Sequence, residues 1–240
     1  MPTAELTRKS ALLSNFQNIT GRIAAACGRA GIAPSAVELL AVTKYAAYED
    51  VKLLIEAGAL KTAGENKVQD ARAKWATGPL ASFRSRVNLH FIGHLQTNKA
   101  KAAVETFDWI DSIDSPKIAA EINRHAASLG RIVPVMIQLK LNDAATQSGI
   151  TPDKAGELLA QLRLLKNLEP RGYLGIAPAN ASPAQLKAVF SAAKKIFDRD
   201  FPVAVSGGPA NYLSLGMSGD YELAVEAGST LPRIGSSLFA

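Results

Sequence analysis

Short apolar runs alternate regularly with segments of helical periodicity along the sequence, and this pattern restricts the fold. The apolar runs predict strands at 39–42, 60–65, 88–93, 107–113, 132–141, 171–176, 212–217 and 230–234. Several of the helical segments between them end at a glycine, such as Gly58, Gly130 or Gly228. This alternation is typical of parallel strands joined by crossover helices. About eight strands in 240 residues predict a closed (β/α)8 TIM barrel of the α/β class, with an open doubly wound sheet as the alternative.

Capping residues and prolines mark where several helices begin. Ser115-Pro116, Thr151-Pro152 and Ser182-Pro183 each place a capping residue before a proline at the first helical position. An extra N-terminal helix, from about residue 3 to residue 28, is predicted to precede the first strand. The segment 203–211 has no clear pattern, because 203–205 could be an edge strand or part of a loop.

Composition restricts the class of protein. Hydrophobic residues make up 48% of the chain and charged residues 20%, which is too apolar a balance for disorder. No run of about 18 uncharged apolar residues could span a membrane, and the first ten residues lack the apolar core of a secretory signal. The sequence therefore predicts a cytoplasmic protein in which residues 1–240 form one domain. Cys27 is the only cysteine, which excludes an internal disulfide and indicates a packing role.

The chain is basic, with a formal net charge of +6. Such a charge would suit phosphorylated small molecules, nucleic acid or an acidic surface equally well. The lysines and arginines are scattered through the predicted helices, and aromatic residues make up only 6% of the chain. A dedicated nucleic-acid surface is therefore the weaker interpretation.

Lys44 stands at the carboxyl end of the first predicted strand, where it is expected to reach solvent or to face a cleft that holds an anion or an electrophile. In barrels of this kind the working face lies at the carboxyl ends of the strands, and phosphate commonly binds after strands seven and eight. The turns after those strands, 214–220 and 233–237, contain the glycines and serines that suit a phosphate, and Ser218 is expected to cap a helix. We call these two turns the phosphate cup. Ordinary turns rich in glycine and serine are the alternative.

Barrel closure would bring the first strand beside the eighth, and so Lys44 beside the phosphate cup. A lysine amine next to a phosphate site indicates a phosphorylated aldehyde, and pyridoxal 5'-phosphate bound as a Schiff base is the leading candidate. Arg233 bears on the chemistry, because an arginine at the pyridine nitrogen would leave that nitrogen unprotonated and weaken the electron sink.

Six motifs lie in order along the chain: AVTK at 41–44, GEN at 64–66, HFIGHLQTNK at 90–99, SGI at 148–150, LSLGMS at 213–218 and GSTLPRIGS at 228–236. Together they resemble the pyridoxal phosphate homeostasis proteins, also called the YggS or PROSC family. The resemblance runs from about residue 39 to residue 239. It implies a barrel like the N-terminal domain of alanine racemase, which is the fold type III of pyridoxal phosphate proteins.

The resemblance also implies a role for individual residues. Lys44 would be the Schiff-base lysine, Arg233 would contact the pyridine nitrogen, and Asn66 would lie beside the ring. The phosphate would be held by Ser214, Ser218, Gly235 and Ser236. Family members are regarded as carriers or regulators of the cofactor, without established catalytic activity.

The sequence departs from the family pattern at a few positions. His94 stands where proline is usual, Gln147 stands where a lysine usually precedes the SGI motif, and 175–178 reads Gly-Ile-Ala-Pro. The segment 203–211 is also unlike the family connection. We expect the first three departures to lie away from the phosphate cup and to affect partners more than cofactor binding.

Three functions are compatible with these patterns. The first is a monomeric protein that stores, buffers or delivers pyridoxal phosphate, with enzymes that use this cofactor as candidate recipients. The second is an amino-acid racemase or decarboxylase, against which the chain ends at the barrel and offers no assignable tyrosine as the opposing acid or base. The third is a nucleic-acid or protein-binding module, which only the basic charge favours.

The remaining polar residues suggest structural roles. The three histidines have no spacing that indicates a metal site, and His90 is expected to be a hydrogen-bonded structural residue. Asp108, Asp111 and Asp114 are expected to be turn and cap residues. Core or cleft packing is expected for three further side chains, those of Trp75, Trp109 and Met217.

Overall fold

The computed structural model describes residues 4–142, 147–202 and 210–240. Within these ranges the strands are β1 (Leu40–Val42), β2 (Thr62–Glu65), β3 (Asn88–Phe91), β4 (Trp109–Ile113), β5 (Val133–Lys140), β6 (Leu168–Ile176), β7 (Tyr212–Ser214) and β8 (Arg233–Ile234). The α-helices are α1 (Ala4–Ala30), α2 (Tyr48–Glu56), α3 (Val68–Ala71), α4 (Ala100–Thr106), α5 (Pro116–Ser128), α6 (Ala155–Leu162), α7 (Pro183–Asp200) and α8 (Tyr221–Glu226). A π-helical turn, Arg72–Ala76, continues α3.

The strands form one parallel sheet that is nearly closed into a barrel. Their order is β7-β6-β5-β4-β3-β2-β1-β8, so the first and last strands are neighbours, with Leu40 opposite Arg233. The seam between β7 and β8 is bridged by backbone hydrogen bonds. The Leu213 carbonyl accepts from the amide of Thr230 at 2.9 Å, and the Gly216 carbonyl accepts from the amide of Arg233 at 3.0 Å. The predicted (β/α)8 barrel is therefore confirmed.

The extra N-terminal helix packs on the outside of the barrel. It contacts α2 and α8, and ion pairs hold it there, at 2.7 Å from Arg8 to Asp50 and at 2.7 Å from Arg29 to Glu226. Its buried face includes Cys27, so the expected packing role of the cysteine is confirmed. No helix in the described ranges is long and apolar enough to cross a membrane.

Some element boundaries differ from the sequence prediction. The short helix α4 was not predicted, and α8 begins at Tyr221 and not at Ser218. Residues 217–220 form a turn instead, which the Asp220 amide closes by donating to the Met217 carbonyl at 3.0 Å. Of the uncertain segment 203–211, residues 203–209 lie outside the described ranges.

The helix starts marked by prolines are confirmed, although their capping differs. Ser182 forms a capping box with Gln185 at the start of α7. Ser115 precedes the proline of α5 without a side-chain cap, and Thr151 precedes a short 3-10 turn, Pro152–Lys154, that leads into α6.

Two cores result from the alternation of side chains along the strands. Residues that point outward pack against the helices in a continuous apolar layer, as Ala41, Leu89 and Ile110 do. Residues that point into the barrel form a smaller cluster around Leu40, Trp109, Met136 and Leu231. This part of the barrel interior is therefore filled by side chains.

Candidate functional site

A cavity of about 800 Å³ opens at the carboxyl ends of the strands. Six of the predicted cofactor-binding residues line it, namely Lys44, Asn66, Ser218, Arg233, Gly235 and Ser236. These residues come from the ends of β1, β2 and β8 and from the turn after β7, so barrel closure brings together positions that are up to 192 residues apart in the sequence. The remaining predicted residue, Ser214, is fully buried and is not among the lining residues.

Lys44 follows β1 directly and extends into the open part of the cavity. Its side chain is exposed, and its Nζ lies 5.1 Å from the centre of the Tyr45 ring, which is itself 83% exposed. Both sequence alternatives are therefore met, because the lysine reaches solvent within the cavity that the other predicted residues line. An exposed amine at this position is free to react with a ligand.

The two turns of the phosphate cup contact each other. The Ser236 hydroxyl lies 3.1 Å from the Ser218 hydroxyl, which places both at one wall of the cavity. Gly216 has a φ of +87°, and a Cβ there would lie 2.7 Å from the Tyr221 Cα, so only glycine fits this turn. The expectation that Ser218 caps a helix was wrong, because α8 begins three residues later.

Arg233 is the most firmly held group of the site. Its side chain donates to the Ser214 carbonyl at 2.7 Å, to the Ser214 hydroxyl at 2.8 Å and to the Gly175 carbonyl at 2.9 Å. Burial lowers the pKa of the Arg233 guanidinium to about 10, and the nearby Asp111 and Asp220 carboxylates oppose this shift. The described contacts of Ser214 hold the arginine, so its assignment as a phosphate ligand stays a prediction.

A buried histidine-aspartate pair lies within the barrel near Arg233. His90 and Asp111 are fully buried, their Nδ1 and Oδ2 atoms are 2.8 Å apart, and His90 stacks on Trp109 with ring centres 5.0 Å apart. Burial raises the pKa of the Asp111 carboxyl, while His90 and Arg233 act to lower it. The hydrogen-bonded role expected of His90 is confirmed.

The expectation that Asp111 is a turn or cap residue was wrong, because it lies in the middle of β4 and points inward. Its two neighbours in the series do flank the strand: Asp108 pairs with Arg84, and Asp114 lies near His94. No sequence signal marked this position, because it depends on the register of β3 and β4, which places His90 opposite Trp109 and puts Asp111 two residues later on the same face. Within the described ranges, no group of three potential ligands could hold a metal ion.

The three departures at His94, at Gln147 and at 175–178 all reach this cavity, the last through Ile176. His94 lies 3.3 Å from the Asp114 carboxylate, and Gln147 donates to the Ile176 carbonyl at 3.4 Å. All three were expected to lie away from the phosphate cup and to affect partners more than cofactor binding, but they form part of the wall of the same cavity. Met217 lines the cavity as well, whereas Trp75 and Trp109 are buried, in line with the packing roles expected of them.

The electrostatics of the cavity favour an anionic ligand. Its described lining residues include the two cations Lys44 and Arg233 and no carboxylate. Hydroxyl donors and the backbone of Gly219 and Gly235 complete the wall near Arg233. The lysine amine can react with an aldehyde, the hydroxyls and glycines can bind a phosphate, and the fixed guanidinium can contact a ring nitrogen. Together these groups fit pyridoxal phosphate.

Comparisons with known proteins agree with this geometry. Residues 15–240 match the family described as alanine racemase, N-terminal domain. A pyridoxal phosphate homeostasis protein from Vibrio alginolyticus is 36% identical over 235 residues, which cover 96% of this chain and 97% of that protein.

Solved structures of other proteins have the same fold. A crystal structure of an unknown protein from Bifidobacterium adolescentis is 29% identical, covers 100% of this chain and 98% of its own, and has a TM-score of 0.87. The structure of PipY from Synechococcus elongatus with pyridoxal phosphate bound is 34% identical, covers 92% of this chain and 100% of its own, and has a TM-score of 0.76.

Proposed function

This chain belongs to the pyridoxal phosphate homeostasis protein family, and we propose that it stores, buffers or delivers pyridoxal phosphate through a reversible Schiff base on Lys44. The observation that carries the proposal is the convergence of Lys44, Arg233 and the phosphate cup on one cavity. A relative of known structure binds the same cofactor.

Each part of the cavity has a distinct task in this proposal. The cofactor supplies an aldehyde, to which the Lys44 amine adds with loss of water, and hydrolysis reverses the step. Ser218, Gly235 and Ser236 bind the phosphate, so affinity does not depend on the covalent bond alone. Asn66 lies beside the ring.

The role proposed for Arg233 favours a carrier over an enzyme. Its guanidinium is fixed by three hydrogen bonds and remains a hydrogen-bond donor, so it does not protonate a pyridine nitrogen. An unprotonated ring stabilises a carbanion poorly, which disfavours racemisation and decarboxylation. Steady turnover of an amino acid by the loaded protein would favour the rival function.

The wider setting of the protein follows from the same proposal. We propose a cytoplasmic monomer in which residues 1–240 act as one domain. Its ligand is pyridoxal phosphate, and its partners are apoenzymes that take up the cofactor. Nucleic acid and membranes are not among the proposed partners.

The test is borohydride reduction of the protein with pyridoxal phosphate, followed by peptide mapping. We expect a phosphopyridoxyl group on Lys44 and its complete loss in Lys44→Ala. Lys67→Ala, which removes another exposed lysine near the carboxyl end of β2, is the matched control and should keep the label. Undiminished covalent binding by Lys44→Ala would refute the proposal.

A further inference from the structure

A second lysine is buried directly behind the turn that carries Lys44. Lys74 is 5% exposed, and its Nζ lies 3.0 Å from Oε1 of Glu65, which is 2% exposed. The same carboxylate oxygen accepts hydrogen bonds from the Thr43 hydroxyl at 2.7 Å and from the Trp75 indole at 3.2 Å. Every one of these groups is buried, so the four side chains form a closed polar cluster.

Stability alone does not account for this cluster. Transfer of an ammonium and a carboxylate out of water is costly, and a buried ion pair is often no more stabilising than apolar side chains of the same volume. The position of the pair in the fold is therefore informative. Lys74 does not line the cavity, so it is not an alternative attachment point for a ligand.

The cluster is connected to Lys44 through one peptide group. Lys74 donates to the Thr43 carbonyl at 2.6 Å, and this carbonyl also accepts from the Ala46 amide at 3.0 Å. The Thr43 amide in turn donates to the Gly64 carbonyl at 3.0 Å. The peptide that joins Thr43 to Lys44 is thus held by a buried cation, while the Lys44 side chain itself remains exposed.

We propose that Lys74 and Glu65 are positioning residues that fix the direction in which Lys44 leaves β1. This inference rests on the proposed function. Because the pair has no net charge, it can hold the Thr43 carbonyl without adding a positive charge behind the reacting amine. A flexible turn would let Lys44 point away from the phosphate cup for much of the time, which would weaken covalent capture and leave phosphate binding intact.

The decisive variant is Lys74→Met combined with Glu65→Gln. The glutamine keeps an acceptor for Thr43 and Trp75, and the double change leaves no unpaired buried charge, so the urea midpoint of unfolding should stay near that of the wild type. The Thr43 carbonyl loses its ammonium donor. We expect about tenfold weaker retention of pyridoxal phosphate and slower borohydride labelling of Lys44, the scale of one hydrogen bond to a charged group.

Pyridoxine phosphate, which lacks the aldehyde, separates positioning from general damage to the cavity. Its affinity should be unchanged in the double variant. Lys52→Met, which removes an exposed lysine of α2 paired with Glu56, is the matched control and should leave the affinity for both ligands unchanged. If the binding of pyridoxal phosphate and of pyridoxine phosphate weakens equally, Lys74 and Glu65 have a merely structural role and the inference is overturned.

The outcomes separate this inference from the function it rests on. If wild-type Lys44 takes no label, the proposed function fails, and this inference fails with it. If the wild type is labelled and the double variant matches it, only the positioning role fails. If the double variant does not fold, Lys74→Arg decides, because the wider guanidinium keeps the charge pair but cannot occupy the same place against the Thr43 carbonyl. If Lys74→Arg loses covalent binding of pyridoxal phosphate but keeps its affinity for pyridoxine phosphate, the inference is again supported. If it binds pyridoxal phosphate covalently as the wild type does, the inference is overturned.

Discussion

Lys44 and Arg233, the two cations that line the cavity, stand near the ends of neighbouring strands and are held in opposite ways. Arg233 is 4% exposed, and its side-chain nitrogens donate directly to Ser214 and Gly175. Lys44 is exposed, and the buried support reaches only the carbonyl of the preceding residue, Thr43. The exposed cation is thus supported through its backbone and the buried one by its own side chain, which suits the reactive role proposed for Lys44 and the fixed role proposed for Arg233.

The largest expected effect is that Arg233 contributes much more than Lys44 to the free energy of unfolding. Arg233→Met removes the guanidinium donor from the buried carbonyls of Ser214 and Gly175, so the free energy of unfolding should fall by about 3 kcal/mol. Lys44→Met, its matched partner, should change the free energy of unfolding by less than about 0.5 kcal/mol. Urea denaturation without added pyridoxal phosphate measures both. Equal losses in the two variants would contradict the comparison.

Crowding of the backbone near Lys44 gives a second test. A Cβ on Gly93 would lie 2.1 Å from the carbonyl oxygen of Asn66, whereas a Cβ on Gly219 in the phosphate cup would meet nothing within 4 Å. Gly93→Ala should therefore lower the free energy of unfolding by about 1–3 kcal/mol, the usual range for overpacking. Gly219→Ala is the matched control and should unfold like the wild type. Thermal unfolding of the two variants side by side would reveal any failure of this contrast.

The buried charges around Arg233 should make the barrel interior sensitive to pH. Burial raises the pKa of the Asp111 carboxyl, so the folded protein binds this proton more tightly than the unfolded chain does. This contribution is full below the unfolded pKa of about 4 and is lost as the pH rises through the raised folded pKa, with a slope of at most about 1.4 kcal/mol per pH unit.

The Asp111→Asn variant isolates this effect. The free energy of unfolding of the wild type minus that of the variant should fall as the pH rises above about 4. Unfolding curves recorded across this range measure the difference. Parallel curves for the two proteins would mean that Asp111 does not titrate differently in the folded state.

The alternation of strands and helices could be predicted because it depends on local periodicity. All eight strands were located within a few residues, since an apolar run between helix signals has few other interpretations. The start of α8 was predicted three residues too early, because Ser218 is of a typical capping residue type and the turn at 217–220 leaves no mark in the local pattern. The helix α4 was missed because its alanine-rich segment carries little amphipathic pattern.

Some features of the candidate site could likewise be predicted from the sequence and others could not. Lys44 stands out in the sequence because a lysine is unusual at the end of a buried strand, and the two turns stand out because they follow the strands after which barrels commonly bind phosphate. The contacts of Ser214 with Arg233 and the burial of Asp111 do not, because the direction of a strand side chain depends on register and on barrel closure. Lys74 gave no signal at all, since a lysine in a helical segment ordinarily faces solvent.

The order of the elements, the class of fold and the chemical groups at the strand ends follow from the amino-acid sequence alone. Which of these groups share one cavity, and which buried charges support them, depends on how the chain folds. The physical reason is that periodicity is a property of neighbours along the chain, whereas the pairing of a buried charge such as Lys74 depends on a carbonyl 31 residues away that folding brings within 2.6 Å.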